Sequence, residues 1–251
     1  MSITKKSLLS LIAAIAFGCV SQVEAASLVW TSNDTRANGT VGVDPFNNGG
    51  ANSLKFTTTS PGGVTNNSKA SVVFHTPVPS VLGTLGDLDQ FDLEFYLDAA
   101  NTTPLNSGFA VRLLTNAVGT EALVWEGAYN TPNLSETKGS WVSASLDGQG
   151  FWQRAAGANW DQAINVKPLA DWEAGFNPGS GVVLSPTTPI YGVQVSFGSG
   201  IAGDFTGYLS QMTVGFGSDV YTAAIPEPAT MGMAAIAGVA GLALRRRARQ
   251  A

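Results

Sequence analysis

The sequence contains almost no cysteine or histidine. Cys19 and His75 are the single residues of their kinds in 251 positions. An internal disulfide needs two cysteines, and a zinc site normally uses three or four Cys or His ligands, so both are excluded. His75 would also have to be the base of any serine-hydrolase triad, but no Gly-x-Ser-x-Gly turn accompanies it. The stability of the chain must therefore come from apolar burial and backbone pairing.

Charge is scarce as well, and one sign dominates. Charged residues make up 12% of the chain, and residues 26–224 hold seven Lys and Arg against sixteen Asp and Glu. This acidic segment has no basic stripe. Its charge therefore argues against nucleic acid, and against an anionic polysaccharide held by charge, as ligands.

The first 25 residues have the layout of a secretory signal peptide. Two lysines precede the 13-residue apolar run Leu8–Val20, which is too short to span a bilayer comfortably. Val23 and Ala25 place small residues at the −3 and −1 positions of a cleavage site before Ala26. Cys19 opens the alternative of a lipidated terminus, but the residues before it do not match that motif. We therefore expect signal peptidase to release a mature chain that begins at Ala26.

Residues 225–251 combine three features in a fixed order at the C-terminus: a proline-rich motif, a short apolar run and a basic end. These are Pro226, Glu227 and Pro228, the predicted transmembrane segment Ala229–Leu244, and the arginines Arg245, Arg246, Arg247 and Arg249. The prolines stop any preceding helix and keep the glutamate extended. The arginines resist translocation and hold the terminus in the cytoplasm.

This tail resembles the PEP-CTERM sorting signal of Gram-negative bacteria that produce exopolysaccharide. The resemblance implies that an integral-membrane exosortase cleaves near the Pro-Glu-Pro motif and releases or transfers the exported domain. It also implies a transient anchor in the inner membrane, followed by the cell surface or extracellular matrix. The resemblance covers the last 27 residues and does not describe the domain between leader and tail.

Residues 26–224 show the two-residue period of β-strands. The segment Gln90–Asp98 alternates apolar and polar side chains, as a half-buried strand does. Comparable segments are Ser53–Thr59, Ala70–Thr76, Gly108–Thr115, Ala122–Ala128, Ile190–Gly198 and Tyr208–Phe216. Trp141–Leu146 and Phe151–Arg154 are predicted to form a hairpin, and one short helix is predicted at Leu169–Gly175. These features predict an all-β fold, an antiparallel two-sheet sandwich of jelly-roll type, as one domain.

The end of this domain supports that fold class. Pro189–Gly200 and Phe205–Val214 are similar to the closing strand pair of carbohydrate-binding-module-like jelly rolls. Where that pattern usually carries Asp or Asn, this chain has Ser210 and Gln211. The departure weakens any transfer of a calcium or sugar role to this strand.

Aromatic residues give the clearest indication of a ligand. The middle of the chain holds a group of large aromatic residues: Trp125, Tyr129, Trp141, Trp152, Trp160 and Trp172. The principal ligand candidates among them are Trp125, Tyr129 and Trp152, with Arg154 as a polar neighbour. Exposed Trp and Tyr rings could stack on sugars, but large aromatic residues are also the natural core of a sandwich without disulfides. The burial alternative is favoured over the stacking alternative.

Acidic residues suggest two weaker possibilities. Asp87, Asp89 and Asp204 are hard oxygen ligands that could hold a structural calcium ion, but they lack the clustered pattern of a dedicated calcium loop. Asp92 and Glu94 share the polar face of a strand, as a glycosidase pair would require. No signature of a known glucanase accompanies this pair, so a hydrolase is the alternative to a non-catalytic module.

The sequence as a whole predicts an exported surface or matrix protein. We expect the domain to be a non-catalytic module that is associated with glycan or that is structural, within exopolysaccharide or biofilm. The alternatives are a glycan-active hydrolase on the same scaffold and a structural matrix protein without a small ligand. No cofactor is expected beyond the possible calcium ion.

Overall fold

The computed structural model describes residues 26–49, 52–60, 63, 67–105, 107–155, 165–179, 182–198, 201–223 and 225. Within these residues lie fifteen strands and one α-helix. The strands are β1 (Ala26–Ser32), β2 (Gly39–Asp44), β3 (Ser53–Thr58), β4 (Lys69–His75), β5 (Gly83–Thr84), β6 (Leu88–Leu97), β7 (Ala110–Leu114), β8 (Ala122–Glu126), β9 (Trp141–Ser145), β10 (Gly150–Arg154), β11 (Lys167–Pro168), β12 (Pro189–Ile190), β13 (Gly192–Gly198), β14 (Phe205–Phe216) and β15 (Asp219–Ala223), and the helix is α1 (Leu169–Glu173).

Thirteen of the strands form two layers, which we call the front sheet and the back sheet, and β5 and β12 form a separate two-stranded sheet. In the front sheet, β6 lies between β9 and the long strand β14. The other edge of β14 pairs with β3 in its first half and with β15 in its second half, and β2 extends the sheet beyond β3. The back sheet has the order β1, β4, β13, β7, β8, β10 and β11. This two-sheet, jelly-roll-like sandwich confirms the predicted fold class.

The first strand belongs to both sheets. Ala26–Leu28 pairs in parallel with the last strand, β15, in the front sheet. Val29–Ser32 then pairs antiparallel with β4 in the back sheet. The pairing of β1 with β15 is an exception to the antiparallel arrangement that the sequence predicts.

Aromatic rings from both sheets meet between the layers. The rings of Phe197 in β13 and Phe205 in β14 stack at 3.4 Å between centroids, and Phe91 in β6 stacks on Phe151 in β10 at 6.4 Å. Phe109 packs edge-on against Phe205 at 5.5 Å. The alternation predicted for β6 is confirmed, since its apolar residues are buried and its polar residues face outward. These phenylalanine rings are buried, and residues 26–224 contain no cysteine that could form a disulfide. Packing and strand pairing therefore hold the sandwich together.

Two predicted pairings are wrong. β9 pairs with β6 and β10 with β8, so these strands lie in different sheets and form no hairpin. The segment between them crosses from the front sheet to the back sheet. Likewise, β13 and β14 face each other across the core rather than forming a pair, and β15 is the strand that closes the domain. The predicted helix is present and begins directly after Pro168.

The described part of the chain contains no helix with the length and apolar character needed to cross a membrane. The predicted signal peptide and the predicted segment Ala229–Leu244 lie outside the described residues.

Candidate functional site

The outer face of the front sheet carries a row of aromatic side chains. Tyr96 lies in β6 at a position where alternation turns side chains away from the core. Its neighbours across the strands are Trp141 in β9 and Tyr208 in β14. The ring centroid of Tyr96 is 5.6 Å from that of Trp141 and 6.0 Å from that of Tyr208. Three aromatic rings from three adjacent strands therefore lie side by side on the surface.

Phe46 completes this aromatic cluster from the loop after β2. Its ring centroid lies 4.6 Å from Tyr208, 4.9 Å from Tyr96 and 5.5 Å from Trp141, with its plane within 21° of the indole. The loop is fixed because the Asp44 carboxylate accepts the Phe46 backbone N–H at 2.9 Å. Phe46 is 40% exposed and covers Tyr208, which is 8% exposed. The cluster thus presents Phe46, with the half-buried rings of Tyr96 and Trp141, to solvent.

A groove with polar walls lies on the same face of the front sheet. Its larger part is an open cavity of about 400 Å³, and its smaller part has a volume of about 220 Å³. Glu94 and Gln211 line both parts. The larger part is bordered by Asn47, Asn48, Gly49 and Asn52, and by Thr222, Ala223 and Ile225 near the end of the domain. The smaller part is lined by Asp92, Leu93, Ser143, Ala144 and Ser145. Amide, hydroxyl and carboxylate groups are the groups that bind sugar hydroxyls, and they stand beside an aromatic surface here.

Hydrogen bonds hold the two carboxylates of this groove in place. Glu94 accepts the amide of Asn48 at 2.8 Å on one oxygen and the hydroxyl of Ser210 on the other. Ser210 is the extra residue of a β-bulge in β14, between the pairs Leu209–Phe95 and Gln211–Glu94. A bulge re-aims side chains on a strand, which accounts for the contact of Ser210 with Glu94.

Asp92 is held in a similar way. One of its oxygens accepts the amide of Gln90 at 2.7 Å. The other lies 2.8 Å from the hydroxyl of Ser145, whose single proton is shared with Asp147 at 2.6 Å. The ion pairs formed by the described residues join Arg36 and Lys69 to Asp34, and Lys55 to Asp44. Within the described part of the chain, Asp92 and Glu94 therefore have no cationic partner.

Of the aromatic residues grouped in the sequence, Trp141 belongs to this cluster, but the principal ligand candidates lie elsewhere. Trp125 is 1% exposed in the main core, and Trp152 is 5% exposed among Leu114, Ala122 and Val124 on the back sheet. Neither indole presents a ring face to solvent, so burial in the core corrects the stacking role considered for them. Tyr129 is 37% exposed at the end of a 3-10 turn. The ligand role of Tyr129 and Arg154 stays a prediction.

Four of the seven basic residues gather on the back sheet rather than in the groove. Arg112, in β7, donates to Gln194 at 2.8 Å, and burial lowers its pKa to about 10, with the charge of Arg154 acting in the same direction. Burial raises the pKa of Glu126, which is attracted to Arg112. These groups are partners of one another beneath the surface and do not form an open binding site.

Asp34 joins two more of these basic residues. It lies 3.1 Å from Arg36 and 2.5 Å from Lys69, which is 4% exposed. Hydrogen bonding to Arg36, assisted by Lys69, lowers the pKa of Asp34 to about 2. This acid–base cluster ties the loop after β1 to β4.

The candidate calcium ligands occupy separate hydrogen-bonded turns. Asp87 accepts the hydroxyl of Thr84 at 2.6 Å, and Asp204 accepts the backbone N–H of Ser60 at 3.2 Å. Among the described residues, no three His, Cys, Asp or Glu side chains are placed to hold a metal ion together. A calcium site at Asp87, Asp89 or Asp204 stays a prediction.

The tail was compared with known protein families. Residues 224–247 match the family described as the PEP-CTERM protein-sorting motif. The tail is a PEP-CTERM sorting motif. The match includes Pro226, Glu227, Pro228 and the first three of the four arginines, all of which lie outside the described residues. A PEP-CTERM motif marks an exported protein that is sorted to the cell surface through the membrane.

The domain before the tail has distant structural counterparts. One is the "Family 11 Carbohydrate-Binding Module from Clostridium thermocellum", solved in complex with a mixed-linked tetrasaccharide. Its sequence is 13% identical, the similarity covers 75% of this chain and 91% of that chain, and the TM-score is 0.37. Another is a carbohydrate-binding module specific for non-crystalline cellulose, CBM28. Its sequence is 10% identical, the similarity covers 78% of this chain and 87% of that chain, and the TM-score is 0.32. No curated protein matches the sequence.

The groove was only partly foreseeable from sequence. Alternation along β6 identified Asp92, Glu94 and Tyr96 as outward-facing, and these residues do line the candidate site or its aromatic cluster. Phe46 and Asn48 were missed because they belong to a loop without a periodic pattern. The signal that could have found them is the dense Asn-Asn-Gly-Gly run directly after an exposed aromatic residue.

Proposed function

We propose that this protein is exported, processed at its PEP-CTERM tail by an exosortase, and binds extracellular polysaccharide without cleaving it. The observation that carries the binding proposal is the groove of the front sheet, where an aromatic cluster adjoins amide, hydroxyl and carboxylate side chains. Sugar rings stack on aromatic faces while such polar groups bind their hydroxyls. The proposed setting is the surface or biofilm matrix of a Gram-negative bacterium.

The binding proposal is tested with a glycan array and a hydrolysis screen on the purified full-length chain, with and without calcium. We expect binding to at least one polysaccharide class. Trp141→Ala and Phe46→Ala should weaken it about ten-fold or more, as central aromatic contacts do. Val118→Ala is the control, because Val118 is a 79% exposed apolar residue in the turn between β7 and β8 of the back sheet, outside the groove. Absence of binding to any glycan would support a structural matrix role instead.

The hydrolase alternative rests on the neighbouring carboxylates Asp92 and Glu94. Release of new reducing ends by the wild-type chain, lost in Glu94→Gln, would replace the binding proposal with a catalytic one. Binding without release of reducing ends supports the non-catalytic module.

Processing at the N-terminus is proposed at the bond before Ala26, by signal peptidase. Edman sequencing of exported protein should begin at Ala26, which is also the first residue of β1. A terminus at a lipidated Cys19 would contradict this proposal.

A further inference from the structure

The groove of the front sheet has a charge as well as a shape. Asp92 and Glu94 lie two residues apart on the outward face of β6, and both line its smaller part. Both oxygens of Glu94 and one oxygen of Asp92 each accept one hydrogen bond from a neutral amide or hydroxyl group, and the other Asp92 oxygen shares the Ser145 hydroxyl with Asp147. Each oxygen therefore keeps acceptor capacity, since a carboxylate offers about four acceptor positions.

Nothing positive among the described residues neutralises this pair. Lys55 lies beside the aromatic cluster, and its ammonium is 3.6 Å from Asp44 and 5.5 Å from the centre of the Tyr208 ring. Its charge is thus already compensated. The other basic groups that form ion pairs belong to the Asp34 cluster.

The walls around the two carboxylates are also rich in acceptors. Ser143 and Ser145 come from β9, on one side of β6, and Gln211 comes from β14, on the other side. A primary ammonium group carries three donors and no acceptor, so it matches a site with two anionic acceptors and several neutral ones. A carboxylate or sulfate on the ligand would instead face like charge.

We infer that the groove selects a polysaccharide that carries free primary amines, such as a glucosamine polymer without N-acetyl groups. The inference rests on the proposed glycan-binding function and adds the chemical class of the ligand. The aromatic cluster holds a sugar ring, and the Asp92–Glu94 pair receives the ammonium of a neighbouring sugar unit.

The test compares matched oligosaccharides on the full-length chain in mild detergent by isothermal titration calorimetry. The probes are glucosamine oligomers with β-1,4 and β-1,6 linkage, their N-acetylated counterparts of equal length, and a cello-oligosaccharide. The buffer keeps the amines protonated. We expect at least one free-amine oligomer to bind about ten-fold more tightly than its N-acetylated counterpart, because charge-assisted hydrogen bonds exceed neutral ones.

Two variants separate the groove from the overall acidity of the chain. Asp92→Asn combined with Glu94→Gln keeps side-chain size and should erase the preference for amines, while binding of the N-acetylated or neutral oligomer persists and shows that the fold is intact. Glu121→Gln changes the charge of one carboxylate near the back sheet and should leave the preference unchanged.

The outcomes distinguish this inference from the proposed function. Equal affinity of wild type for amine and N-acetylated oligomers overturns the inference but leaves glycan binding in place. A preference for amines that survives in the double variant also overturns it, since bulk charge would then be the cause. Absence of binding to every oligosaccharide overturns this inference, and the proposed function is overturned only if the glycan array is negative as well.

Discussion

Trp125 in β8 is enclosed by the core between the two sheets, with 1% of its surface exposed. Replacing a buried tryptophan by alanine removes packing and leaves a cavity. We expect Trp125→Ala to lower the free energy of unfolding by about 3–5 kcal/mol. Tyr129→Ala, three residues beyond the strand and 37% exposed, should change it by about 0.5 kcal/mol or less. Urea denaturation followed by fluorescence measures both, and a small effect at Trp125 would contradict its place in the core.

Asp34 gives the stability of the fold a dependence on pH. Its folded pKa is about 2, below the ordinary value of 3.8, mainly because Arg36 hydrogen-bonds to it. A lowered pKa means that the stabilisation is fully present above about pH 3.8 and is lost as the pH falls toward about 2. Asp34→Asn should therefore destabilise the protein at neutral pH, partly because buried Lys69 loses its counter-ion.

The test of this linkage is the difference in melting temperature between wild type and Asp34→Asn across that pH range. We expect the difference to be constant above about pH 4 and to shrink in the acid range. Asp98→Asn serves as a control, since Asp98 accepts a backbone N–H at 2.8 Å but forms no ion pair within the described residues. A difference that is the same at all pH values would contradict the role of the charge.

At the scale of elements, two glycines of β2 allow the effect of close packing on stability to be measured apart from the effect of strand propensity. A Cβ atom on Gly39 would collide with the backbone carbonyl of Lys69 in β4, whereas a Cβ on Gly42 meets nothing within 4 Å. Gly39→Ala should therefore destabilise the fold by about 1–3 kcal/mol, as overpacking does. Gly42→Ala is the matched control in the same strand and should be nearly neutral. Equal effects in chemical denaturation would show that β2 does not approach β4 as closely as described.

The elements that were predicted correctly are those whose signal is local. In β6, alternating apolar and polar residues indicate which side chains face the core and which face outward. The helix α1 begins after a proline that fixes its first turn. Pairing is not local. The Asp147-Gly148 turn signal predicted a hairpin between β9 and β10, but the same turn residues serve here to cross between sheets. Turn chemistry describes how a chain bends and does not say which strand it meets next.

The candidate site was harder to predict for the same reason. Its aromatic cluster joins Phe46, Tyr96, Trp141 and Tyr208, which lie far apart in sequence and meet only through the order β2–β3–β14–β6–β9. Abundance of tryptophan drew attention to the middle of the chain, where Trp125, Trp152 and Trp172 are buried and Trp141 belongs to the cluster. The alternation of apolar and polar residues in the central strand β6 identified the surface residues of the site more reliably.

At the scale of the whole molecule, the tail determines the localisation of the domain. Replacing Pro226, Glu227 and Pro228 together by alanine should leave full-length precursor in the inner membrane, because the processing enzyme loses its motif. Replacing the four arginines by neutral residues should instead weaken retention, since cationic residues resist translocation. Membrane fractionation with mass spectrometry of the C-terminus measures both. Normal trimming and export of the triple-alanine chain would mean that the segment acts as a plain anchor.

The pairing of β1 with β15 also sets the timing of folding. Ala26 lies opposite Tyr221 and Leu28 lies opposite Ala223, so the front sheet cannot close until the last residues of the domain are available. The central strand β14 arrives almost as late. A chain synthesised and exported from its N-terminus thus lacks the partners of its first strand throughout transit, and contacts of such long range form slowly. We therefore expect this topology to delay closure of the front sheet until β15 has been exported, which would keep the chain extended during its passage.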